Sequence, residues 1–145
     1  MVHTFNAGSD SAELNAVRGT DGLTPRALYD LLKSCWRADT CAPRMRGDWT
    51  PQNPTLGQCS VTAFLAQDIF GGEVRGVPLG DGTFHCFNVV DGVAFDLTSE
   101  QFAGKTLDYT DCPLQRREEH FGKTEKLERY RVLRQRLLAL TGERE

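Results

Sequence analysis

Thr83-Phe84-His85-Cys86-Phe87-Asn88-Val89-Val90-Asp91-Gly92-Val93-Ala94-Phe95-Asp96-Leu97 decides how this chain is built. Two runs rich in β-branched and aromatic residues flank Asp91-Gly92, a dipeptide suited to a two-residue hairpin turn. With Asp91 and Gly92 as the turn, Val90 faces Val93, Val89 faces Ala94, Asn88 faces Phe95 and Phe87 faces Asp96. Opposed residues share a face of a sheet, as do residues two apart on one strand. Asp96 therefore shares a face with Phe87 and with His85, within reach of an imidazole–carboxylate hydrogen bond. A slip of one residue would put the two on opposite faces.

Working outward, the spacing predicts strands over Glu73–Leu79, Thr83–Val90 and Val93–Leu97. A helix is predicted from about Cys59 to Phe70, closed by Gly71-Gly72. Val61, Phe64, Leu65 and Ile69 form its apolar stripe. Thr62, Ala63 and Ala66 lie one and two turns on from Cys59 and leave a small side that a sheet can approach closely. An earlier helix starts at Thr24-Pro25, where Thr caps and Pro suits the first turn. It carries Leu28, Leu31, Leu32, Cys35 and Trp36 at helical spacing. Between the two helices, Ala38 to Gly57 reads as a long irregular loop broken by Pro43, Gly47, Pro51 and Pro54. Thr98 to Gln101 has a capping-box pattern and predicts a short helix. Lys123 to Leu140 reads as a long helix with a stripe of Leu127, Tyr130, Leu133, Leu137 and Leu140. Residues 1–22, rich in Gly, Ser, Asp and Asn, read as a mobile or loosely packed leader, and 23–145 as a single α+β domain.

Cys59, His85 and Asp96 are the candidate catalytic residues. A thiol at a helix start gains acidity from the helix N-terminus and from a nearby imidazolium, and becomes a nucleophile. Asp96 would hold one tautomer of His85 and favour its charged form. His85 would take the thiol proton and later protonate a leaving group. Gln58, Asn53 and Gln52 precede the thiol as candidate oxyanion or substrate contacts, and Trp49 as a candidate pocket wall. Each has a structural alternative: Gln58 orienting its loop, the other amides satisfying loop backbone, Trp49 filling core. Cys86 points away from His85 on an alternating strand and reads as core, and Asn88 reads as structural. His3 and His120 read as surface residues. Arg129, Arg131, Arg134 and Arg136, interleaved with Glu125 and Glu128, read as a solvated helix face.

The chain of 145 residues is long enough for one domain with a sizeable core. With 39% hydrophobic and 26% charged residues and a net charge of -3, it has the composition of an ordinary globular protein and no bias toward nucleic acid. No apolar run approaches a membrane span, and the first residues lack the pattern of a secretory signal, so a cytoplasmic location is expected. The five cysteines form no closely spaced pair of the zinc-site kind, so free thiols and no metal or cofactor are expected.

Trp49, Asn53-Pro54, Gly57-Gln58-Cys59, Thr62-Ala63, Gln67-Asp68, Gly71-Gly72-Glu73, His85, Asn88 and Asp96-Leu97-Thr98 with Gln101-Phe102 resemble the YunG-like family of small bacterial proteins. The resemblance spans about residues 24–140. More distantly, His85 through Thr98 is similar to the His…Asp part of papain-like and transglutaminase-like folds. That implies an α+β architecture with a nucleophile helix packed on a small antiparallel sheet and a C-terminal helix. It also implies that Cys59, His85 and Asp96 stand at triad positions. Cys86 departs from the aromatic that the resemblance implies after the histidine.

The resulting expectation is a thiol enzyme acting on an amide or acyl bond of a small-molecule or peptide substrate through a thioester, whether hydrolase, deamidase or acyl transferase. The alternative is a catalytically inactive small-molecule or peptide binding module of the same fold. The oligomeric state is left open.

Overall fold

In the computed structural model, which describes residues 2–5, 11–102 and 105–142, Asp91 and Gly92 both take positive φ, 51° and 78°. This is the backbone a primed two-residue turn requires. The turn joins β3 (Phe84–Val90) to β4 (Val93–Asp96) with Val90 opposite Val93, Val89 opposite Ala94 and Asn88 opposite Phe95. This is the register read from the sequence. β2 (Glu73–Pro78) pairs antiparallel on the other side of β3, from Glu73 opposite Val89 to Pro78 opposite Phe84.

The sheet departs from the all-antiparallel expectation. β1 (Val2–Thr4) lies parallel to β4, giving a mixed four-stranded sheet in the order β1-β4-β3-β2. The leader, read as mobile or loosely packed, is anchored at three points while Arg18 and Thr20 to Gly22 stay exposed. Phe5, Leu14 and Val17 are buried in the main core, and the Phe5 N–H donates to Ser99 Oγ at 3.1 Å. A three-residue strand is too short to show a period, so composition alone suggested a loose segment. Residues 1 and 6–10 of that leader lie outside the described residues.

α1 (Ala12–Asn15) is capped by Ser11, and α2 (Pro25–Leu32) by Thr24, whose hydroxyl accepts from the Ala27 N–H. α2 stops at Leu32, earlier than the apolar spacing suggested. The next turn still carries Cys35 and Trp36 into the core, where Trp36 Nε1 donates to Thr62 Oγ1 at 2.9 Å. α3 (Cys59–Phe70) has the predicted bounds, and Gly71 closes it with φ 78°. Its consecutive residues Ser60 through Ala66 are all buried, because the helix touches both the sheet and α5 (Thr124–Thr141). A short α4 (Arg117–Phe121) precedes α5, and the segment after Asp96 forms a 3-10 turn over Ser99–Phe102. The result is an α+β fold with a C-terminal helix. Among the described residues, no helix is long and apolar enough to cross a membrane.

α5 keeps Arg131 on a solvated face beside Glu128 but corrects that reading for Arg129 and Arg136. Arg129 is buried, donates to the Thr40 carbonyl at 3.1 Å and pairs with Glu125. Arg136 donates to the Cys35 carbonyl at 3.1 Å and pairs with Asp39. Long arginine stems let a charged helix face clamp a neighbouring loop. The segment clamped here leads toward Cys59.

Candidate active site

The alternation of β3 divides its side chains between two environments. Cys86 and Val90 join the core under α3, and Asn88 Nδ2 donates to the Ala63 carbonyl at 2.8 Å, tying strand to helix. Phe87 joins Val77 and Cys112 in a second cluster, with Val89 packed against it. His85 and Asp96 fall on that second face, as the register requires. His85 Nε2 lies 2.7 Å from Asp96 Oδ2, and both side chains are almost wholly removed from solvent. Asp96 uses the rest of its capacity as well. Oδ2 also accepts from the Tyr109 hydroxyl at 2.6 Å, and Oδ1 accepts from the Thr98 N–H at 3.1 Å. Phe102 packs edge-on to the His85 ring, with centroids 4.7 Å apart.

Cys59 sits half-buried at the first position of α3. Gly57 brings the chain there with φ 69°, and a Cβ at that position would lie 2.5 Å from Cys41 Sγ, so conformation and space both demand glycine. Gln101 holds the approach, accepting from the Gly57 N–H at 3.3 Å and donating to the Thr98 carbonyl at 3.1 Å. The Cys59 sulfur lies 3.9 Å from the Phe84 carbonyl oxygen, beside the start of β3.

The adjoining residues of β3 set its acidity. A hydrogen bond from the Cys86 thiol is the largest influence holding Cys59 well below the ordinary thiol range. Burial opposes this, and the hydrogen bond and charge of His85 and the Cys86 N–H add to the lowering. Cys86 is pushed well above the ordinary range, by its bond to Cys59 and by burial. Burial acts to lower His85. The Asp96 charge and hydrogen bond, with those of Cys59, outweigh it and raise the ring to about 10. Both shifts favour the proton on the ring over the proton on sulfur. Since Nε2 is engaged by Asp96, Nδ1 is the ring atom left for sulfur.

The thiol and the imidazole line a cleft of about 440 Å³. Its other walls include Pro43, Met45, Leu79, Phe84 and Phe102, with His120 and Lys126 entering from α4 and α5. His120, read from the sequence as a surface residue, is half-buried here; its Nε2 donates to Gln115 Oε1 at 2.9 Å, and Lys126 Nζ donates to its Nδ1 at 2.8 Å. Burial, with the Lys126 charge, holds His120 down to about 4, so its ring is neutral. His3, the other histidine read as surface, keeps only 10% of its side chain exposed, beside Glu13. A larger cleft of about 750 Å³ between β1 and residues 105–110 contains no thiol or imidazole.

The amides expected from the loop stand elsewhere. Gln58 is fully buried, its Nε2 donating to the Arg37 carbonyl at 3.0 Å, and it does not line the cleft. Asn53 pairs with Thr50 in an isolated bridge, Gln52 is exposed, and Trp49 Nε1 donates to the Pro54 carbonyl at 3.0 Å. None of these three lines the cleft either. α3 has no side-chain cap at its N-terminus, so its leading N–H groups are the donors closest in sequence to the sulfur. Tyr109, Cys86, His120 and Lys126 were not picked out by sequence reasoning. Only Cys86 had a signal, its adjacency to His85, and alternation argued against that.

A family model described as YunG protein matches residues 24–142. The "Uncharacterized protein YunG" of Bacillus subtilis (strain 168) is 35% identical over 105 residues, covering 72% of this chain and 84% of that protein. No solved structure matches. A family match over most of the chain, with a relative at this identity and coverage, places it plainly: the chain belongs to the YunG family.

Proposed function

We propose that the protein is a Cys-His-Asp thiol enzyme acting on an amide or acyl bond, on a fold related to the papain-like and transglutaminase-like enzymes. The observation that carries this reading is the buried 2.7 Å His85–Asp96 contact set behind a half-buried Cys59 at the mouth of a cleft. A buried imidazolium is costly unless paired, and here the pairing leaves its second nitrogen for the thiol. The Cys59 sulfur attacks the acyl carbon, and the carbonyl π pair moves to oxygen, where the first N–H groups of α3 receive it. Collapse expels the amine or alcohol, which takes its proton from His85. The thioester then passes its acyl group to water or to an amine, with His85 accepting the proton.

The test is alkylation by iodoacetamide across pH, with the labelled residue identified by peptide mass. Cys59 should label rapidly well below pH 8, while the buried Cys35, Cys41, Cys86 and Cys112 stay unlabelled in the folded chain. A panel of acyl amides and esters should then yield a turnover that Cys59→Ala abolishes. Labelling of Cys59 that follows an ordinary thiol profile, near pKa ~8.5, would sink the proposal.

A further inference from the structure

We infer that the cleft beside Cys59 takes a substrate bearing a carboxylate close to the reacting carbonyl, and that Lys126 binds that carboxylate with Lys123 at the rim. The inference rests on the thiol-enzyme reading and names its substrate class.

It starts from the charge left over in the cleft. Arg44, Lys123, Lys126 and Arg129 line it, against a single carboxylate, Glu125. Glu125 is committed to Arg129, its neighbour one turn along α5. Arg44 is exposed and lies within the influence of Asp81. Lys126 is different. It is half-buried, and the partner of its ammonium is a neutral ring, His120 Nδ1 at 2.8 Å. Among the described residues no carboxylate pairs with Lys126 or Lys123.

A half-buried ammonium without a carboxylate is an expensive arrangement. The chain nevertheless builds it. Gln115 fixes the His120 tautomer through Nε2, and His120 fixes the ammonium. Burial holds Lys126 below the ordinary lysine range, opposed by negative charge at the neighbouring Cys86 and Cys59 sulfurs, so a Cys59 thiolate supplies part of the charge that the ammonium lacks. Acylation neutralises that thiolate. A carboxylate on the acyl group would replace it at the moment the lysine loses it. Because Lys126 is half-buried, solvent and salt screen the interaction less than they would at the surface.

The test needs no substrate. Iodoacetate and iodoacetamide alkylate the same thiolate: the S–C bond forms, the C–I bond breaks and iodide leaves. They differ by one carboxylate in place of one amide. The ratio of their rates at Cys59 cancels any change in the thiolate fraction and reports the field and contacts felt by a carboxylate. Lys126→Gln should lower the iodoacetate-to-iodoacetamide ratio ~3–10-fold. Lys123→Gln, at an exposed rim position, should lower it ~2-fold and remains informative even if Lys126→Gln folds poorly. Lys33→Gln, which removes the same charge beside Tyr29 on the α2 side, should leave it unchanged. An unchanged ratio in both cleft variants, or an equal drop in Lys33→Gln, overturns the inference. The iodoacetamide profile of the parent judges the thiol-enzyme reading separately, so the two failures are distinguishable.

Discussion

Asp96→Asn is the substitution in which geometry predicts more than residue type does. The two side chains have nearly the same shape, so packing is kept while the charge is lost. In the parent, Oδ1 accepts from the Thr98 N–H, and Oδ2 accepts from His85 and from the Tyr109 hydroxyl. An asparagine has one oxygen for these two positions. If the oxygen stays opposite His85, the amide NH₂ confronts the buried Thr98 N–H, two donors face each other, and ~1–3 kcal/mol is lost. If the oxygen turns to Thr98, the NH₂ faces His85 Nε2, which must then accept. The ring proton moves to Nδ1, the atom needed for the thiol proton, and the base is disabled.

The charge effect is larger. Raising a buried ring from 6.5 to about 10 corresponds to ~5 kcal/mol in favour of the imidazolium, and Asp96 is the leading raising influence. Without it, burial acts on His85 with only Cys59 in opposition, and the ring is neutral at pH 7. Rates of Cys59 alkylation by iodoacetamide against pH, with nitrogen NMR of the labelled histidines, read both effects. The parent should hold its reactivity down to well below pH 8. In Asp96→Asn the acid limb should move up toward ~8.5, the ordinary thiol position, and the His85 nitrogens should show a neutral ring protonated on Nδ1. A folded Asp96→Asn protein that keeps the parent profile and a charged ring would refute the coupling.

The same pair sets a stability profile whose sign follows from proton counting. In the thiolate–imidazolium state proposed here, between the ordinary values of 6.5 for His85 and 9.0 for Cys59 the folded pair holds its proton on the ring and the unfolded chain holds it on sulfur, so the counts match and the pair contributes no slope. Below 6.5 the folded state holds one proton fewer and stability rises with pH; from 9.0 to about 10 it holds one more and stability falls. In Cys59→Ala, urea unfolding should lose the plateau and show stability falling from 6.5 upward by ~1.4 kcal/mol per pH unit. Tyr109→Phe removes one of the donors to Asp96 and should cost ~1.5–3 kcal/mol in urea unfolding, because the acceptor is charged and buried; a loss under ~0.5 kcal/mol would mean the bond contributes nothing. Gly57→Ala should cost more than ~2 kcal/mol and slow Cys59 alkylation, since its Cβ would collide with Cys41 Sγ and its φ of 69° is strained; unchanged stability and labelling would show that the turn does not position the thiol.

Features set by local physics were legible along the chain. The Asp91-Gly92 turn requires two positive φ values that few dipeptides tolerate, so it set the register of β3 against β4 and put His85 and Asp96 on one face. The glycines after Phe70 and the helical spacing before it set the bounds of α3, with Cys59 first. Tertiary structure decided whatever depends on which distant segment arrives. Tyr109 reaches Asp96 through an irregular stretch with no period to read, and His120 and Lys126 reach the cleft only because α4 and α5 close against α3. β1 pairs across more than 90 residues with no pattern of its own, and the Phe5 N–H meets Ser99 with a sequence separation of 94. The loop amides failed for the converse reason. Nearness in sequence to Cys59 did not bring Asn53 or Gln52 into the cleft, because the turns of that loop bond its backbone to itself. Alternation placed Cys86 in the core as expected, but a helix that begins over the end of a strand brings its first side chain against the backbone there. Cys59 therefore lies beside the Phe84 carbonyl and lines one cleft with His85, a placement that no periodicity along one strand can show.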